Sequence, residues 1–144
     1  MSRAGLTLFA CSIAFLVSGC SGGGDSLHPA KGKISVNGKP AAGAQIMLFP
    51  SGKPDIKYVP ATATADAEGA FTLMTGKDAG AKVGKYVVTV IWPDPNKKLT
   101  EGEKMQGLGN IPDLLKGRYA SPEKSTIQIE ITSGENNLQP IDIK

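Results

Sequence analysis

Cys20 is the residue whose chemistry the sequence states most clearly. Its thiol follows Leu16-Val17-Ser18-Gly19, and Ser18 and Gly19 are small enough to enter the cleft of a signal peptidase. The thiol is then a nucleophile available for acylation. Upstream, Arg3 gives a short positive start, and Leu6 to Val17 is an unbroken run of 12 apolar or small residues. That run is too short to cross a hydrocarbon core of about 30 Å as a helix, but it suits the apolar region of an export signal.

Few other residues are equipped for chemistry. His28 is the only histidine and stands just before Pro29, so it reads as linker. A Ser-His-Asp triad or a His-rich zinc site on the domain is thereby excluded. Cys11 departs with the leader and Cys20 would be blocked as a thioether, which leaves no free thiol, no cysteine metal site and no disulfide; stability must come from packing. Asp66 and Glu68 flank a turn and carry oxygens that suit Ca²⁺, yet a Ca²⁺ shell takes about six to eight oxygens and no acidic cluster completes one. Neither a catalytic residue nor a metal site is expected.

The best candidates for contact with another molecule are Trp92, Asp94, Lys116, Arg118 and Tyr119, which border or lie within a long loop. Trp92 should be part core and part exposed, and an amphipathic indole at a strand end suits a contact surface. Lys116, Arg118 and Lys124 could prefer anionic glycans or lipid headgroups. Asp94, Glu101 and Glu103 share the loop with Lys97, Lys98 and Lys104, a mixed run that reads as a solvated face.

The bulk composition limits the partners. The chain has 144 residues and a net charge of +3, which falls to about +2 when Arg3 leaves. Such a surface is not polybasic, and nucleic acid is not an expected partner. Removal of residues 1–19 leaves 125, enough for one domain with a real core.

These residues need a scaffold, and its signals are those of strands. Residues 20–29, with Ser21-Gly22-Gly23-Gly24-Asp25-Ser26, form a glycine-rich polar tether that has nothing to bury. Residues 30–144 form the domain. Ile34 and Val36 alternate with Lys33 and Ser35, and Asn37-Gly38 supplies the positive φ angles of a tight turn. Gln45 to Pro50 is apolar enough to be a central strand, and Pro50 ends it. Residues 59–65 can extend; Asp66-Ala67-Glu68-Gly69 then makes a turn, with Phe71 and Leu73 pointing to one side after it.

Residues 76–84 read as turn-rich, and Lys85 to Trp92 is the strongest strand by propensity, with Tyr86, Val88 and Val90 toward the core. The long loop follows, in which Pro112 to Gly117 can make one helical turn. Ile127, Ile129 and Ile131 alternate with polar residues. Leu138 is out of phase with Ile141 and Ile143, and a bulge or edge position at Pro140 would reconcile them. Seven short strands fit an all-β, antiparallel Greek-key sandwich.

Two resemblances sharpen this reading. The N-terminus is similar to bacterial lipoprotein precursors, which implies a signal peptide over residues 1–19, a diacylglycerol and a fatty acid on Cys20, and no other cofactor. Ser21 after the cysteine resembles the outer-membrane sorting choice in a host with two membranes. The domain resembles the carboxypeptidase regulatory-like family, of prealbumin-like (Ig-like) sandwich fold, in three places: residues 33–50 with Asn37-Gly38-Lys39-Pro40 and Phe49-Pro50, the Asp66 hairpin leading to Phe71, and Gly84-Lys85-Tyr86-Val87-Val88-Thr89-Val90. In addition, Arg118-Tyr119 to Ser121-Pro122 resembles the end of small lipoprotein members. Transthyretin-related hydrolases would need histidines and a Tyr-Arg-Gly-Ser ending, whereas this chain ends Ile141-Asp142-Ile143-Lys144.

The expectation is a non-enzymatic module anchored by lipid in the cell envelope, which binds or scaffolds envelope proteins or glycans. A small-ligand or Ca²⁺ carrier using the 93–125 loop as a lid is the alternative, and a hydrolase is the weakest of the three.

Overall fold

The computed structural model describes residues 26–52, 58–97, 100–101 and 112–144. The leader, Gly19 and Cys20 lie outside the described residues, as do Lys98, Glu103 and Lys104 of the long loop.

Alternation of side chains decides each strand's two faces. β1 (Ala30–Val36) buries Ala30 and Ile34 and leaves Lys31 and Lys33 in solvent. It ends at Asn37 and Gly38, both at positive φ (49° and 74°), and β2 (Lys39–Pro40) folds back on it. β3 (Gln45–Pro50) buries Ile46 and Leu48 between exposed Gln45 and Met47. β4 (Ala61–Thr64) runs antiparallel to β3, with Thr62 and Thr64 exposed. The hairpin after it is closed by Asp66, whose Oδ1 accepts from the amides of Glu68 at 3.0 Å and Ala70 at 2.8 Å.

β5 (Ala70–Thr72) then pairs with β1, but β6 (Met74–Thr75), one residue later, pairs with β4. Buried Leu73 is where the chain changes sheet, its amide donating to the Ala30 carbonyl at 2.9 Å. β7 (Asp78–Ala79) returns along β6, and β8 (Gly84–Ile91) fills the slot between β3 and β9 (Gln128–Ile131). β10 (Asn136–Asn137) and β11 (Ile141–Ile143) complete the fold beside β1.

Among the described residues the six-stranded sheet has the order β7-β6-β4-β3-β8-β9; in the other sheet β1 is flanked by β10, β11, β2 and β5. The two pack as a sandwich, with Ile34 from one and Ile46, Leu48, Val88, Val90 and Ile131 from the other fully buried between them. Tyr86 is buried with Val88 and Val90, as the alternation predicts. The fold is all-β.

The seven expected strands are β1, β3, β4, β5, β8, β9 and β11, and four two-residue strands come in addition. The sheets are mainly antiparallel, as the antiparallel sandwich expectation has it, with β10 and β11 as parallel partners of β1. The chain leaves β9 in one sheet and enters the other through a turn at residues 132–135, so it arrives alongside β1 in β1's own direction. The phase change at Pro140 is a bulge. Lys31 pairs with Asn137 and Ile34 with Ile141, so three residues, Leu138 to Pro140, stand opposite two, Gly32 and Lys33.

Candidate functional site

Trp92 and its neighbours are held by one carboxylate. Asp113 Oδ1 accepts from the Trp92 amide at 2.8 Å and the Leu115 amide at 3.0 Å, while Oδ2 accepts from the Gly117 amide at 2.8 Å. The Leu114 amide donates back to the Trp92 carbonyl at 2.8 Å, and the Asp94 amide to the Pro112 carbonyl at 3.1 Å. The end of β8 is thus stapled to residues 112–117. Instead of the single helical turn expected there, the chain makes successive turns, because Lys116 (φ 54°) and Gly117 (φ 71°) take left-handed angles that a helix cannot continue through.

The structure therefore brings Trp92 and Asp94 next to the segment carrying Lys116, Arg118 and Tyr119, but it occupies much of their polar chemistry. Trp92 Nε1 donates to the Ala42 carbonyl at 3.0 Å, and Asp94 Oδ1 accepts from the Asn96 amide at 2.9 Å. Arg118 lies 5.4 Å over the Tyr119 ring and donates through Nη1 to the Lys144 carbonyl at 3.1 Å. Lys116 is exposed. Asp113 was not among the expected site residues; an Asp ahead of an apolar pair and a Gly is the cap signal that could have found it.

His28 does not act as linker. Its backbone exchanges two hydrogen bonds with Ala81, at 2.8 and 3.0 Å, and its Nδ1 accepts from the Gly134 amide at 2.9 Å. Buried Asn136 secures the same corner: its Nδ2 donates to the carbonyls of Thr132 and Gly134, both at 2.9 Å, and its Oδ1 accepts from the Thr132 amide at 2.8 Å. The ordered domain thus begins before residue 30.

Away from these corners, both sheets contribute to a trough of about 1120 Å³. Gln45, Met47 and Phe49 line it from β3, as do Thr89 and Ile91 from β8. These side chains alternate with the buried row of Ile46, Leu48, Val88 and Val90, so they sit on the sheet's outward face. Met47 and Ile91 are 36% and 38% exposed. Lys31 and Lys33 of β1, with Phe71 and Leu138, line it from the other sheet. Sequence alternation marks the β3 and β8 residues and Lys31 and Lys33 as outward, whereas Phe71 is buried and reaches the trough from the core side.

Two phenols are shifted by their surroundings. Burial, and then the neighbouring Tyr86, push the Tyr58 hydroxyl up to about 12; it donates to the Leu48 carbonyl at 2.8 Å. Burial also raises Tyr86, whose hydroxyl donates to the Lys82 carbonyl at 2.9 Å. Both stay protonated at neutral pH and serve as donors that tie loops to the core.

No protein-family model matches the chain, and no curated protein matches it. Among solved structures it is similar to a DUF3823 family protein from Parabacteroides merdae, at 13% identity and a TM-score of 0.39 over 81% of this chain. The alignment covers 45% of that protein, so the chain spans less than half of its length.

Proposed function

We propose that the protein is a non-enzymatic module of the cell envelope, anchored by lipid on Cys20, that presents a carboxypeptidase regulatory-like sandwich to envelope proteins or glycans. The observation that carries this reading is the position of His28. Its bonds to Ala81 and Gly134 hold the chain to the domain eight residues after Cys20. Eight residues extend at most about 29 Å, so an anchor at Cys20 would keep the sandwich within one domain diameter of the bilayer surface. The order of elements around Asn37-Gly38, Asp66 to Phe71 and the β8 strand supports the family assignment. Where the host has two membranes, Ser21 favours the outer one.

Metabolic labelling with a fatty-acid analogue, followed by membrane fractionation, tests the anchor. A labelled membrane-bound chain, and loss of both label and membrane association in Cys20→Ala, are the expected results. An intact leader on a soluble chain by mass spectrometry overturns it. For the binding role, a pull-down from envelope extract should recover partners that Cys20→Ala does not.

A further inference from the structure

We propose that the trough lined by the outward face of β3 and β8 and by β1 is a binding site for a single-chain amphiphile with one anionic head group, a medium- or long-chain carboxylate being the simplest. The proposal does not depend on whether Cys20 is lipidated. It rests on what the trough offers and withholds.

Apolar side chains come from the six-stranded sheet: Met47, Phe49, Met74 and Ile91 all line the trough. Met47 and Ile91 are left part-exposed on a face where water gains nothing from them. Methionine fits irregular flexible partners well, because its unbranched thioether chain repacks at little cost. At the opposite wall Lys31 and Lys33, two residues apart on β1, share one exposed face and both line the trough, which gives that wall two cationic side chains. The acid also lining the trough, Asp66, has its Oδ1 engaged by the Glu68 and Ala70 amides. The balance favours an anion at the β1 wall and a hydrocarbon along β3 and β8.

Along the six-stranded wall the backbone offers no ladder to an extended peptide; β5, which also lines the trough through Phe71, pairs with β1 alone. β3 is paired on both sides, by β4 and β8; β4 is flanked by β3 and β6, and β8 by β3 and β9. Strands paired on both sides have no free ladder for an added strand, so recognition there must use side chains alone. At about 1120 Å³ the trough is somewhat larger than ligand sites usually are, with room for a long hydrocarbon chain.

The test uses the full chain carrying Cys20→Ser, so that no anchor lipid competes, with methyl-labelled methionine and leucine. Sodium decanoate and neutral 1-decanol are titrated below their aggregation limits. Saturable shifts of the Met47 and Met74 methyl signals are expected with decanoate, with the buried Leu115 methyls unmoved. The exposed double variant Lys31→Glu/Lys33→Glu should weaken decanoate about tenfold and leave decanol unchanged. Absence of saturable shifts at Met47 and Met74 would overturn the site. Equal decanoate affinity in the charge-reversed protein would overturn the anionic head.

Discussion

Gly32 of β1 stands directly opposite Phe71 of β5, and a β-carbon built on it would lie 2.7 Å from the ring's Cζ and 3.3 Å from the Leu138 β-carbon. The glycine is therefore there for space, since its φ is not in the left-handed region. Gly32→Ala forces the Phe71 ring, which is only 4% exposed, to move within a close-packed core. The expected cost is about 1 to 3 kcal/mol, seen as a fall in Tm of roughly 4 to 10 °C. Phe71→Leu in the same chain should restore part of the loss, and a double-mutant cycle by thermal melting measures that coupling. Strict additivity of the two changes would show that they do not meet.

Asp113 supports three amides through one side chain. Asp113→Ala leaves the amides of Trp92, Leu115 and Gly117 without their acceptor, and about 2 to 3 kcal/mol of stability should go with them. Trp92 reports the change locally, because its indole is positioned by the same staple. Its fluorescence should shift to the red in Asp113→Ala and less in Asp113→Asn, which keeps an acceptor. An unchanged melt and spectrum would mean that residues 112–117 hold together without it.

The parts of the fold legible in the sequence are those in which local chemistry and burial agree. Tyr86, Val88 and Val90 alternate in the sequence and are buried in β8; Asn37-Gly38 takes the positive angles its residue types favour; Asp66 closes the hairpin its side chain can reach. The bulge at Pro140 was legible for the same reason, as a conflict of phase between Leu138 and Ile141. Features set by distant partners were not. The parallel pairing of β11 with β1 depends on a crossover that no local pattern encodes, and the β6–β7 hairpin is too short to show a period. His28 looked like linker because its partners, Ala81 and Gly134, lie more than 50 residues away in sequence. The loop residues Trp92 and Arg118 were recognisable as amphipathic, but not as already bonded to Ala42 and Lys144. The trough is not legible in the sequence because its lining comes from strands of two sheets that no local pattern brings together.

At the acid end, Asp142 should contribute to the pH profile. The Ser35 hydroxyl at 2.8 Å, then the Gly38 amide at 3.1 Å, hold its carboxyl below the ordinary value of 3.8. A depressed carboxylate contributes stability that is complete above its unfolded value and lost as pH falls through the folded one. The contribution should therefore fade below about pH 4. Asp142→Asn removes the titration, so its Tm should fall less steeply than that of the parent between about pH 4 and pH 2. Parallel curves over that window would assign the acid sensitivity elsewhere.

At the alkaline end the sign reverses, because Tyr58 is raised from 10.0 to about 12. Its phenol is kept neutral first by burial and then by the neighbouring Tyr86, while its hydroxyl donates to the Leu48 carbonyl. Below pH 10 neither the folded nor the unfolded chain ionises this group, and its contribution to stability is whole. Between pH 10 and about 12 the unfolded chain releases the proton while the folded one retains it, so stability drains away across that window. Tyr58→Phe should lose about 1 kcal/mol at neutral pH with the hydrogen bond, yet decline less steeply than the parent above pH 10. Tyr86, raised by the same kind of burial, keeps some alkaline slope in that variant. Phenolate absorbance during an alkaline titration, read as the difference between the parent and Tyr58→Phe, isolates this group: Tyr58 should ionise together with unfolding, and a difference signal in the still-folded protein near pH 10 would show that the hydroxyl is open to water.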